Sequence, residues 1–155
     1  VSKIFKIKGR PEGKPFIVLV RDLAMAKGLI DLGEYEETLK KYWPGALTGV
    51  FKAITKLPSG VVSKGGTVAI RISPHPFVQK LFGYIDFPII STSANKSGDE
   101  NSSTISEVKE SLGLESEMVD YFVDWGSLNN TLPSTLVSFV SNTPKIMRQG
   151  SIIFL

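Results

Sequence analysis

Four cations, Lys6, Lys8, Arg10 and Lys14, crowd into the stretch "KIKGRPEGKPF" (6–16), with two glycines and two prolines between them. Proline fixes φ and glycine permits tight turns, so the side chains are displayed from a defined loop. Arginine offers a planar fork to phosphate or carboxylate, and lysine a mobile point charge. The set suits a polyanion such as a triphosphate, and it equally suits a solvated basic loop; spacing alone does not choose. "GVVSKGG" lacks the Walker spacing, which excludes a P-loop.

A second polar cluster, "STSANKSGDENSS" (91–103), follows directly on the apolar "PII". A buried strand running into Ser91, Thr92, Ser93, Asn95 and Ser97 presents hydroxyls and amides at a strand end, where ligands commonly sit. The competing reading is a Ser/Asn-rich turn with a helix cap. In "TVAIRIS", Arg71 shares a face with Ala69 and Ser73, opposite Ile70 and Ile72. An arginine among apolar neighbours needs an anion, either an internal carboxylate or a ligand's carboxylate or phosphate. Arg148 in "KIMRQG" poses the same question. His75, the single imidazole, stands in "PHP" and reads as structural. No Ser-His-Asp set, paired carboxylates or cysteine nucleophile can be assembled. Cations and hydroxyls remain, and those perform positioning and charge stabilisation, as in phosphoryl or nucleotidyl transfer.

The elements that must hold these groups are legible in outline. "PFIVLV" reads as a buried strand, after which Asp22 caps a helix through "LAMAKGLI". "EYEETLKKYW" and "FVQKLFGYI" have helical spacing; "ALTGVFKAI", "GTVAIRI" and "FPIISTS" read as strands. Thr104 and Glu107 form a capping box for a helix that stops near Gly113. "YFVDW", "STLVSFV", "KIMRQ" and "SIIFL" are four further strand candidates. Strands and helices mix without regular βαβ alternation, so the expectation is one α+β domain over residues 1–155 around a mixed twisted sheet. A hydrophobic content of 42% with 21% charged residues is that of a globular chain. The net charge of +3 is unevenly spread, with basic groups gathered in the first fourteen residues and acidic ones from Asp99 to Asp124. Zero cysteines exclude disulfides and fit a reducing compartment. One histidine speaks against a structural zinc site, and no apolar run is long enough to span a membrane.

In order along the chain, "KIFKIKGRPEGKPFIVLV", "WPGALTGVF", "GTVAIRISPHP", "PIISTSANKSG", "PSTLVSF" and "IMRQGSI" resemble the YrdC/Sua5/TsaC family. The Lys-x-Arg motif (Lys8, Arg10) and the Ser-x-Asn motif (Ser93, Asn95) are the most specific parts. The resemblance implies an L-threonylcarbamoyladenylate synthase, a cytoplasmic enzyme that joins L-threonine, bicarbonate and ATP into threonylcarbamoyl-AMP and pyrophosphate. A partner transferase then modifies adenosine 37 of tRNA. The implied fold is a twisted sheet flanked by helices, with a basic concave cavity. Carried over by motif, Lys8 and Arg10 neutralise charge at the reacting centre. Arg10, Lys14, Thr67, Ser93, Asn95, Asn101 and Arg148 contact ATP, while Arg71, Ser91 and Ser134 hold threonine. Mg²⁺ is expected to accompany the triphosphate without a dedicated protein cage. The family pattern also places a strand and a "PT-x-T-x-YGLG"-like segment upstream of Val1, so the chain is expected to begin within the following helix. Leu19 stands where many members have a histidine near threonine. No C-terminal Sua5 extension follows, which points to the short, TsaC-like form. The alternatives are a carbamoyl-adenylate-using carbamoyltransferase domain and a non-catalytic domain that binds tRNA or double-stranded RNA. The second is weakened by the scarcity of aromatics among the basic residues.

Overall fold

Six short apolar runs become strands: β1 (Ile17–Leu19), β2 (Leu47–Lys52), β3 (Thr67–Arg71), β4 (Ile89–Ser91), β5 (Thr135–Ser138) and β6 (Lys145–Arg148). They form a single sheet ordered β4-β1-β3-β2-β5-β6 in a computed structural model that describes residues 1–11, 15–128 and 132–155. β1 runs parallel to β3, and β2 to β5, while the other three pairings are antiparallel. The helices are α1 (Ser2–Lys8), α2 (Leu23–Lys27), α3 (Glu36–Lys40), α4 (Pro76–Leu81) and α5 (Ile105–Leu112). The mixed sheet with flanking helices is the α+β architecture expected from the pattern. No helix among the described residues is long and apolar enough to cross a membrane.

Side chains alternate across a strand, so the register sorts them into two faces. One row, with Val18, Ile70 and Val137, and its neighbours Val68 and Phe51, enters the main core against Ala26, Ile30, Leu39 and Trp43. The other row contains Ile17, Ser91, Ala69, Arg71, Val50, Leu136 and Arg148. The polar and cationic positions singled out in the sequence therefore share one side of the sheet.

Caps fix the helix starts. Asp22 Oδ1 accepts from Met25 N–H at 2.8 Å. His75 Nδ1 accepts from Phe77 N–H at 3.3 Å, with Pro76 in the first turn. Thr104 Oγ1 accepts from Glu107 N–H at 3.2 Å, while the Glu107 carboxylate accepts from Ser103 N–H at 2.6 Å. Two strand expectations fail. Residues 119–128, containing "YFVDW", join no ladder, and Tyr121, Val123 and Trp125 are exposed. β-propensity supplies no partner, and neither edge strand, β4 or β6, pairs with this segment. "SIIFL" instead wraps over β5, where Ile152 O accepts from Thr135 Oγ1 at 2.6 Å and Ile152 and Phe154 pack on the core.

Gly49 in β2 has a packing reason to be glycine. A Cβ there would meet the Phe51 ring at 2.4 Å, and that ring stacks on Phe139 with centroids 4.9 Å apart. Phe51 is fully buried and has no room to yield. Gly49→Ala is expected to lower stability by about 1–3 kcal/mol, seen as a lower urea midpoint. An unchanged midpoint would contradict this packing.

Candidate functional site

The site is built outward from the end of α1. Gly9, in the left-handed region at φ 55°, caps the helix and turns the chain so that Lys8 and Arg10 diverge. Lys8 turns inward and is 4% exposed. Its Nζ donates to Ser93 O at 2.6 Å, to Asn95 O, and to Asn95 Oδ1 at 3.2 Å. Asn95 in turn donates from Nδ2 to Asp99 O at 2.7 Å and Glu100 O at 3.0 Å. Ser97 N–H returns a bond to Lys8 O at 2.9 Å. Helix end and polar loop are thus locked together in both directions. Burial, and then the neighbouring Arg10 charge, pull the Lys8 pKa below its ordinary value, with Asp99 pulling the other way.

Arg10 turns outward. Its guanidinium lies over the Phe16 ring, 4.9 Å from the centroid, and Nη2 donates to Pro15 O at 3.3 Å. It enters a cleft of about 470 Å³ whose wall also includes Arg71, Ser91, Ser93, Asn101, Ser134 and Arg148. Arg71, at the end of β3, donates from Nε to Gly45 O at 2.8 Å, a carbonyl offered by the "WPG" turn. Arg148, on edge strand β6, donates from Nε and Nη2 to Ser134 O at 3.3 and 2.9 Å.

Neither Arg71 nor Arg148 forms an ion pair with a carboxylate among the described residues; the ion pairs there lie elsewhere. No Asp or Glu belongs to the cleft wall among those residues. Burial pulls the Arg10 and Arg71 guanidinium pKa values below the ordinary one, so an anion entering the cleft would meet cations that lack full solvation. The hydroxyls of Ser91, Ser93 and Ser134 add neutral donors and acceptors beside them. Such an arrangement suits an anion and can stabilise negative charge that develops between the cations.

Seven of the residues marked in the sequence thus meet in one cleft: Arg10, Arg71, Ser91, Ser93, Asn101, Ser134 and Arg148. Lys8 and Asn95 instead line a neighbouring, largely apolar cavity whose wall Ser93 also joins, with Lys8 held by the carbonyls of Ser93 and Asn95. Thr67 is not in the cleft wall; its hydroxyl pairs with Ser63 Oγ at 2.7 Å. Lys14 falls outside the described residues. Among those residues, no group of three or more His, Cys, Asp or Glu side chains gathers to hold a metal.

Sequence reasoning missed three contributors. Phe16 looked like plain core, yet it supports Arg10. Gly45 serves through its carbonyl, which no side-chain reading reveals. Gly150 lies so near the 133–135 backbone that a Cβ would come within 2.1 Å of Pro133 O. Its N–H donates to Thr135 Oγ1 at 3.0 Å, which seats the Ser134 segment. The "RQG" spacing was the available signal.

The inward and outward cations should separate in experiment. Lys8→Met abandons buried carbonyl acceptors and is expected to lower stability by about 1–3 kcal/mol. Arg10→Ala removes a ring contact and a part-exposed carbonyl hydrogen bond, and is expected to cost less stability than Lys8→Met while weakening ATP binding. Denaturation and nucleotide titration of both variants check this; equal stability losses would contradict the division.

The Sua5/yciO/yrdC family model, described as "Telomere recombination", matches residues 1–150. A protein of Vibrio vulnificus named threonylcarbamoyl-AMP synthase is 31% identical over 154 residues, covering 97% of this chain and 80% of its own length. A Bacillus subtilis protein of the same name is 34% identical over 155 residues, but the match spans only 44% of it. The crystal structure of P. abyssi Sua5 complexed with L-threonine superposes with a TM-score of 0.86 at 28% identity, over 96% of this chain and 44% of that one. With a family match across nearly the whole length and a shared fold, the chain belongs to the Sua5/YciO/YrdC family.

Proposed function

We propose that the protein is a threonylcarbamoyl-AMP synthase, forming threonylcarbamoyl-AMP and pyrophosphate from L-threonine, bicarbonate and ATP. The observation that carries this reading is the cleft with Arg10, Arg71, Arg148 and three serine hydroxyls in its wall, and no carboxylate among its described residues. Relatives bearing that enzyme name, and a Sua5 structure holding threonine, support the choice of substrates.

In the first step the threonine amine attacks the bicarbonate carbon. A C–N bond forms, water is lost, and the product is a carbamate. Its oxygen then attacks the α-phosphorus of ATP; a P–O bond forms, and the bond to the β-phosphate breaks with release of pyrophosphate. Both partners of the second step are anions, so the barrier includes their repulsion, and fixed cations lower it. Arg71, anchored by Gly45 O, suits the threonine carboxylate, with Ser91 and Ser134 beside it. Arg10, Ser93, Asn101 and Arg148 suit the nucleotide, and Lys14 and Thr67 extend that assignment. Lys8 and Asn95 hold the Ser93 loop, and through it they set where Ser93 meets the nucleotide.

Mg²⁺ belongs to this reading as a companion of the triphosphate, since the described residues gather no protein cage for it. A single domain over 1–155, transfer of the product to tRNA by a partner enzyme, and a cytoplasmic setting belong to it as well.

The test is pyrophosphate release from ATP with each substrate omitted in turn. Release that requires both threonine and bicarbonate is expected. Release indifferent to threonine would sink the synthase reading.

A further inference from the structure

Thr48 is a fully buried polar residue near the start of β2. It alternates with Gly49, which enters the core row, and so belongs to the row that faces the cleft. Gly49 pairs with Ile70, which sets Thr48 level with Arg71. On its other side Thr48 pairs with Leu136, two residues after Ser134. Strand β2 thus places one hydroxyl between the strand of Arg71 and the segment carrying Ser134.

Thr48 Oγ1 lies 2.7 Å from Ser134 Oγ, and either atom could donate by geometry alone. The surroundings choose. Among the described residues Ser134 Oγ is the only side-chain hydrogen-bond partner of Thr48 Oγ1. A buried hydroxyl hydrogen without an acceptor is costly, so Thr48 donates to Ser134. Arg148 Nη2 approaches the same serine oxygen at 3.4 Å, a weaker second donor. A hydroxyl has two acceptor lone pairs and one hydrogen. With donors on its oxygen, Ser134 keeps its own hydrogen for the cleft, whose wall it joins. It then offers a donor to an oxygen and has no lone pair to spare for an ammonium group.

We infer that Thr48 is a positioning residue that makes Ser134 a hydrogen-bond donor to an anionic oxygen of the amino-acid substrate. The inference rests on the proposed function for the identity of that substrate and deepens it, because it gives Ser134 a direction and assigns a residue outside the cleft. Gly150, pressed against the 133–135 backbone, keeps the acceptor in reach of Thr48.

Calorimetric titration with L-threonine, and separately with a non-hydrolysable ATP analogue, tests it. Thr48→Val keeps the shape and removes the donor, and is expected to weaken threonine binding roughly tenfold. Nucleotide affinity should stay unchanged, and Thr48→Ser should restore threonine affinity to about the wild-type value. In a Ser134→Ala background, Thr48→Val should add no further loss, because the two hydroxyls act as one unit. If Thr48→Val does not fold, Thr48→Cys, a weak donor of similar volume, should give an intermediate affinity. Threonine affinity equal to wild type in Thr48→Val or Thr48→Cys would overturn the inference, as would additive losses in the double variant. Wild-type protein that binds nucleotide but no threonine would instead overturn the synthase reading, and this inference with it.

Discussion

A single buried ammonium group ties the site together. Lys8 ends α1, yet its charge is spent on the carbonyls of Ser93 and Asn95, far away in sequence. A buried cation is stable only when oxygen atoms surround it, and here the loop after β4 supplies them. The same bonds dictate where that loop runs, and hence where Ser93 meets the cleft. Because Gly9 turns the chain at once, Arg10 emerges on the outer side of the same junction. One residue fixes the loop and the next but one lines the cleft, so the two cations of the Lys-x-Arg motif have different surroundings.

The cleft solves a related problem. Arg10, Arg71 and Arg148 come from the α1–β1 loop, from β3 and from edge strand β6, and like charges resist being gathered. Arg71 and Arg148 are each held by a neutral carbonyl, Gly45 O and Ser134 O respectively, while Arg10 lies over the Phe16 ring and donates to Pro15 O. Carbonyl and ring contacts orient a guanidinium without cancelling its charge, whereas a carboxylate partner would do both. Arg71 and Arg148 therefore remain available to an incoming anion. The sheet makes this economical, since one face serves the core and the other presents the cations.

Local features were legible where local physics decides them. Asp22, His75 and the Thr104/Glu107 box act through neighbours within a few residues, and each sequence signal has its counterpart in the structure. The apolar strands and the shared face of Arg71 and Ala69 followed from alternation. The convergence of Ser91, Ser134 and Arg148 depends on the whole strand order, from β4–β1 through to β2–β5 and β5–β6, which no periodicity reveals; there the family resemblance supplied the grouping. Lys8 was misleading because charge in a basic stretch suggests exposure, and only the tertiary fold shows carbonyls waiting for it. "YFVDW" has strand composition without a strand partner. Gly45 and Gly150 act through backbone, and side-chain chemistry says nothing of that.

The arginine-lined cleft, and not the neighbouring apolar cavity of about 390 Å³ beside Ile7, Leu112 and Trp125, is where the substrates are expected to bind. A crystal structure of the protein grown with L-threonine and a non-hydrolysable ATP analogue measures this most directly. The amino-acid carboxylate is expected on the Arg71 guanidinium, with phosphate oxygens against Arg10. Ligand density confined to the apolar cavity, with Arg71 untouched, would contradict it.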